Sequence, residues 1–165
     1  MRKLLLISLL AFVGCSSKAT REAVYRSVSW KELACFKYEP SVDPKGKLSP
    51  KKIELPNQIA CLQGQRLHLQ GYMMPVDVEG RQVRSFVLVR DQQLCCYGKM
   101  PAMNEWVFVS LDSSGVEMNM DRPVDVKGTF EVGEDIEEGV VVSLYRMKCD
   151  SVTLTEGKPK GWIAN

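Results

Sequence analysis

From residue 66 onward the chain alternates with a period of two, and this constrains its fold more than any other feature. In RLHLQGYM, Leu67, Leu69 and Met73 fall on one side, with Arg66, His68, Gln70 and Tyr72 on the other. Successive strand residues point to opposite faces, so this reads as a half-buried strand. VDVKGTFEV repeats the pattern, with Val124, Val126, Phe130 and Val132 inward and Asp125, Lys127, Thr129 and Glu131 outward. VRSFVLVR and EWVFVSL are apolar on both sides at their centres, as buried strands are. VVVSLYRMKC and VTL form a last long strand, bent near Asp150 and Ser151. Gly71 and Gly128 interrupt two of these patterns, where a strand of a small closed sheet can bend sharply. No long amphipathic helix is readable, which argues against a parallel α/β sheet. The pattern predicts a mainly β chain, a small OB-like five-stranded antiparallel barrel with an N-terminal extension. A small sandwich is the second architecture.

The N-terminus predicts the compartment. MRK supplies a positive start, LLLISLLAFV a ten-residue apolar run, and SSKATRE an abrupt polar continuation. The apolar run is shorter than the roughly 20 residues needed to span a bilayer, and the whole resembles a secretory signal. Gly14-Cys15 at its end resembles a bacterial lipobox, which makes Cys15 the candidate lipidated residue. Phe12 departs from the leucine usual at that position, and an ordinary signal cut after Ala19 is the alternative. Ser16 after the cysteine fits sorting to the outer membrane, facing the periplasm. The expected organisation is a signal peptide over 1–14, the lipidated cysteine and a polar tether over 15–28, a β domain over 29–157, and a tail over 158–165. The membrane partner is then reached through an anchor.

Processing also alters the charge. The whole chain carries 22 basic and 20 acidic residues, and losing Arg2 and Lys3 leaves 20 of each. A neutral mature chain lacks the basic field that binding a phosphate backbone requires, so nucleic acid is not an expected partner.

Several short motifs occur together: W30-x-x-L33-x-x-F36-x-Y38, L55-P56-x-x-I59-x-x-L62-x-G64, G71-Y72-M73-M74-P75, F86-V87-L88-V89, C95-C96-Y97-G98 and P123-V124-D125-V126-K127-G128. Over roughly residues 29–149 this set resembles a bacterial family of envelope lipoproteins of unknown function, DUF3299. The resemblance implies a secreted or lipid-anchored protein with an OB-like core and a link to metal supply. It carries no established catalytic residues.

Chemistry-bearing residues are few. Beyond Cys15, the cysteines are Cys35, Cys61, Cys95, Cys96 and Cys149, an odd number that leaves at least one thiol outside any internal pairing. All five are disulfide candidates in an oxidising compartment. A bond between Cys95 and Cys96 is disfavoured, because adjacent Cα atoms lie about 3.8 Å apart, closer than the roughly 4.4–6.8 Å of ordinary disulfides. The adjacent thiols can grip one ion only in a loop, since a strand turns them to opposite faces. With Met100, Met103 and the lone imidazole, His68, they are candidate ligands for a soft ion, copper or zinc. No C-x-x-C or H-x-x-x-H spacing supports this. Met73 lies on an apolar face and reads as core filler. Met118 and Met120, like Met100 and Met103, fall in expected loops and suit either a soft-metal patch or an apolar docking surface. A cysteine nucleophile would need a histidine base, and only His68 exists.

These observations favour a non-catalytic accessory or binding module with a protein partner in the envelope, supporting a transport or assembly complex. The loop from Leu94 to Asn104 is its expected functional surface. A periplasmic soft-metal binder using Cys95, Cys96 and loop methionines is the competing reading, and a thiol-redox protein ranks third.

Overall fold

One strand organises the sheet by changing partners midway. β2 spans Arg66–Glu79 and buries Leu67, Leu69, Gly71 and Met73 in strict alternation. Its first half pairs with β6 (Val124–Glu137), Arg66 opposite Thr129 through Gly71 opposite Val124. Its second half pairs with β3 (Gln82–Val89), from Tyr72 opposite Val89 to Glu79 opposite Gln82. The computed structural model describes residues 24–40, 54–91, 101–111 and 115–155.

The changeover sits at Gly71 for a steric reason. A Cβ there would lie 2.6 Å from the Val89 carbonyl oxygen and 3.0 Å from Leu88 Cγ. Only a residue without a side chain lets the two backbones approach that closely. Gly128 on β6 is tighter still, since its Cβ would fall 2.2 Å from the Lys148 carbonyl oxygen. At this point the register against β7 (Val140–Leu154) jumps, from Lys127 opposite Ser151 to Gly128 opposite Cys149, so Asp150 is an extra residue. The bend expected near Asp150 and Ser151 is thus a β-bulge.

The remaining pairings complete the sheet. β4 (Trp106–Leu111) is antiparallel to β3 and parallel to β7, with Phe108 opposite Arg146 and Leu111 opposite Cys149. Two short strands lie at the edges. β1 (Arg26–Ser27) runs parallel to the start of β2, and β5 (Val116–Glu117) pairs with the start of β3. The result is a mainly β fold with a seven-stranded mixed sheet in the order β1-β2-β6-β7-β4-β3-β5, plus a β2–β3 pairing. Two sequence expectations are corrected here. The described residues form seven strands instead of five, and the sheet is not purely antiparallel. The parallel β4–β7 contact joins strands far apart in sequence, which no local pattern announces.

β1 also brings residues of the expected tether into the fold. Val28 is buried, its amide donates to the His68 carbonyl at 3.1 Å, and Tyr25 donates its hydroxyl to Asp150 at 2.9 Å.

Beyond β1, the chain covers the core with short helical pieces. α1 (Trp30–Leu33) starts at Ser29, whose hydroxyl accepts from the Glu32 amide at 3.3 Å, a side-chain cap for an orphan donor. Leu33 is fully buried, and its carbonyl accepts from the buried Tyr145 hydroxyl at 3.0 Å. α2 (Asn57–Ala60) buries Ile59, and Leu62 follows it into the core. Tyr145 stacks at a tilt on Phe130, ring centroids 5.4 Å apart, at the centre of the cluster. No helix among the described residues is long and apolar enough to cross a membrane.

Candidate functional site

β5 and the segment after it place three of the methionines around one groove. β5 is held by Val83 opposite Val116 and Gln82 opposite Glu117. The hold continues one residue on, where the Met118 amide donates to the Arg81 carbonyl at 3.0 Å. Across from this segment lie Met73 of β2, Val124 of β6 and the end of β7. They enclose a groove of about 700 Å³ whose lining includes Met73, Met118, Met120, Val124, Val152 and Leu154. Met118 and Met120 are exposed, whereas Met73 is almost wholly buried. Glu117, Asp121 and Arg81 add charge to the lining, and Arg81 reaches Glu117 at 3.7 Å. The lining thus mixes apolar and charged side chains around an open concavity.

A second feature is a polar knot on the outer face of β2 and β6. Asp125 Oδ1 accepts from Gln70 Nε2 at 2.8 Å and contacts His68 Nε2 at 2.5 Å, while Oδ2 accepts from the Thr155 hydroxyl at 2.5 Å. Burial alone would raise the Asp125 carboxyl. The hydrogen bonds from Thr155, Gln70 and His68, and the charge of the imidazole, outweigh that and hold it below the usual carboxylate range. The knot joins β2, β6 and the residue after β7, and it explains why the only imidazole sits on a strand face. One ring nitrogen of His68 is therefore committed to Asp125.

Of the other residues that the sequence singled out, some lie among the described residues. Met103 lies in a 3₁₀ turn, Met103–Glu105, and packs partly buried against the core. Asn104 beside it is buried and donates its amide to the Phe36 carbonyl, while the Ala102 amide donates to the Glu105 carboxylate at 2.9 Å. This end of the expected functional loop is therefore pinned to the body of the fold. Cys15, Cys95, Cys96 and Met100 lie outside the described residues, as do all residues of that loop from 94 to 100. No disulfide links Cys35, Cys61 and Cys149 to one another. Cys35 and Cys61 are exposed, and Gln58 Nε2 donates to Cys35 Sγ at 2.8 Å; Cys149 is buried on β7. Among the described residues no group of three or more His, Cys, Asp or Glu side chains could hold a metal ion.

The profile of a family described as "Protein of unknown function (DUF3299)" matches residues 24–154, most of the chain. The chain belongs to the DUF3299 family. The match begins just before β1 and ends at the last residue of β7. A crystal structure of a DUF3299 family protein from Pseudomonas aeruginosa PAO1, at 2.45 Å resolution, is similar to this DUF3299 chain with a TM-score of 0.56. The two are 23% identical, and the likeness covers 81% of this chain and 98% of the other. At that identity the likeness extends to the fold alone. No curated protein matches the chain.

Sequence reasoning missed the groove as a unit. Its methionines were visible singly, but the contact that assembles them is the β3–β5 pairing, made by strands about thirty residues apart. The two-residue β5 has no periodicity of its own.

Proposed function

We propose that this DUF3299 protein is an envelope lipoprotein anchored through Cys15 and acting as a non-catalytic binding module of a transport or assembly complex. Its five long strands act as an OB-like barrel: the pairings run β2–β6–β7–β4–β3 and return to β2, and barrels of that type bind ligands on one strand face and its adjoining loops. The anchor places the module at the outer membrane, facing the periplasm. The observation that carries the reading is the groove of about 700 Å³, lined by apolar and charged side chains together. A binding role also fits the imidazole, since His68 is tied to Asp125 and does not line the groove.

The test is a photo-crosslinking amino acid at Asn119, in the groove lining, compared with one at Lys148, an exposed β7 position outside it. In intact cells the Asn119 probe should give one discrete protein adduct that the Lys148 probe does not. No adduct at Asn119, or the same adducts from both positions, would overturn the reading.

A further inference from the structure

We propose that the groove is a thioether site for a soft monovalent cation, copper(I), with Met73, Met118 and Met120 as its donors. The inference rests on the groove being the binding surface, and it names the ligand class by the atoms lining it. Three of the eight methionines in the chain line it. Met118 and Met120 lie two residues apart just after β5, and both line the groove. They are 40% and 49% exposed, so both side chains are open to an incoming ion. Met73 supplies the third sulfur from the opposite wall, at the point where β2 leaves β6 for β3.

The donor set decides the ion. Among the described residues the lining contains no imidazole and no thiol, so zinc lacks the ligands it prefers there. Thioethers are soft, neutral and polarizable, and they select copper(I) among the biological first-row metals. Among the described residues the charged groups facing the groove are Glu117 and Asp121 against Arg81, one negative charge in excess, which suits a monovalent cation. A purely apolar docking surface would need no sulfur. Leucine would serve equally at 118 and 120, and this supplies the test.

Silver(I), a redox-inert stand-in for copper(I), would be titrated into the full chain in detergent, with methionine methyl groups labelled with carbon-13. The accessible thiols would first be blocked with N-ethylmaleimide so that no exposed cysteine competes. The methyl signals of Met73, Met118 and Met120, assigned through single Met→Leu variants, should shift together and saturate at one equivalent. The double variant Met118→Leu/Met120→Leu, which conserves volume, should keep its urea midpoint. It should also bind silver at least about tenfold more weakly, because two of three soft donors are lost. Silver binding that spares these three methyls, or an affinity unchanged in the double variant, would overturn the proposal. Loss of silver binding alongside an intact Asn119 adduct would remove the metal and leave the protein partner; an ion bound without any adduct would do the reverse.

Discussion

Replacing Gly128 by alanine should be the most damaging one-carbon change in the sheet. The added methyl would lie 2.2 Å from the Lys148 carbonyl oxygen, 2.9 Å from Met147 Cγ and 3.0 Å from Cys149 Cα. Two of these three atoms are backbone and cannot swing aside as a side-chain end can. Since contacts under 3.0 Å are essentially never seen, β6 and β7 must part by about 0.8 Å against that oxygen. β6 is held from the other side as well, because Gly128 also faces Leu67 of β2. Relief therefore costs about one ladder hydrogen bond, about 1 kcal/mol, on top of about 1–3 kcal/mol of overpacking. A loss of about 2–4 kcal/mol is a large part of the roughly 5–15 kcal/mol by which domains are stable. With a urea slope of about 2 kcal/mol/M it lowers the midpoint by about 1–2 M. The assay is urea unfolding of the full chain in detergent, followed by far-UV circular dichroism. Gly80→Ala serves as the comparison, because Gly80 has a φ of +64° but no atom within 4 Å of a new Cβ. Its strain should cost only about 1–2 kcal/mol. If Gly128→Ala proves no worse than Gly80→Ala, the close approach of β6 to β7 is wrong.

Asp125→Asn should destabilise by about 1–3 kcal/mol at neutral pH, because an amide cannot accept all three hydrogen bonds that the carboxylate takes. The native Asp125 carboxyl lies below its ordinary value of 3.8, so its contribution is fully present above that value and is lost as pH falls through the lowered native one. The wild-type stability curve should therefore drop more steeply than that of Asp125→Asn below about pH 4, the ordinary carboxylate value. Parallel curves would contradict the knot. In native protein, N-ethylmaleimide should modify the exposed Cys35 and Cys61 promptly, but Cys149, 9% exposed, only on opening of the sheet. Peptide mapping that finds Cys149 labelled as fast as Cys35 would place β7 wrongly. Cys15→Ser should abolish incorporation of labelled palmitate, and a variant that still carried lipid would remove the anchor.

The strand interiors were legible because burial on one face of a sheet imposes a period of two. Leu67, Leu69 and Met73 on β2, and Val124, Val126 and Phe130 on β6, are all buried, with the intervening residues more exposed. Gly71 and Gly128 were legible for the converse reason, since glycine within such a pattern marks a place where a side chain does not fit. α1 left a weaker trace. Ser29 three residues before Glu32 is a helix-start spacing, yet Glu32 pairs with Arg26 at 2.5 Å instead of closing the reciprocal cap. β1 and β5 span two residues each and have no room for a period.

The groove escaped the sequence for a physical reason distinct from shortness. Met73 obeys the alternation of β2 and is buried like any core residue, so its pattern describes only its inward face. What makes it a wall of the groove is the partner change after Gly71, which carries the second half of β2 away from β6. That turn leaves space beside Val124, and the chain after β5 borders it because Arg81 accepts from the Met118 amide. A local pattern reports whether a side chain leaves water, but the neighbours it meets are chosen by pairings between distant strands. One methionine can thus satisfy the core rule and still line a groove. Substituting leucine at 118 and 120 separates these roles, since it keeps the apolar surface and removes only the donor atoms.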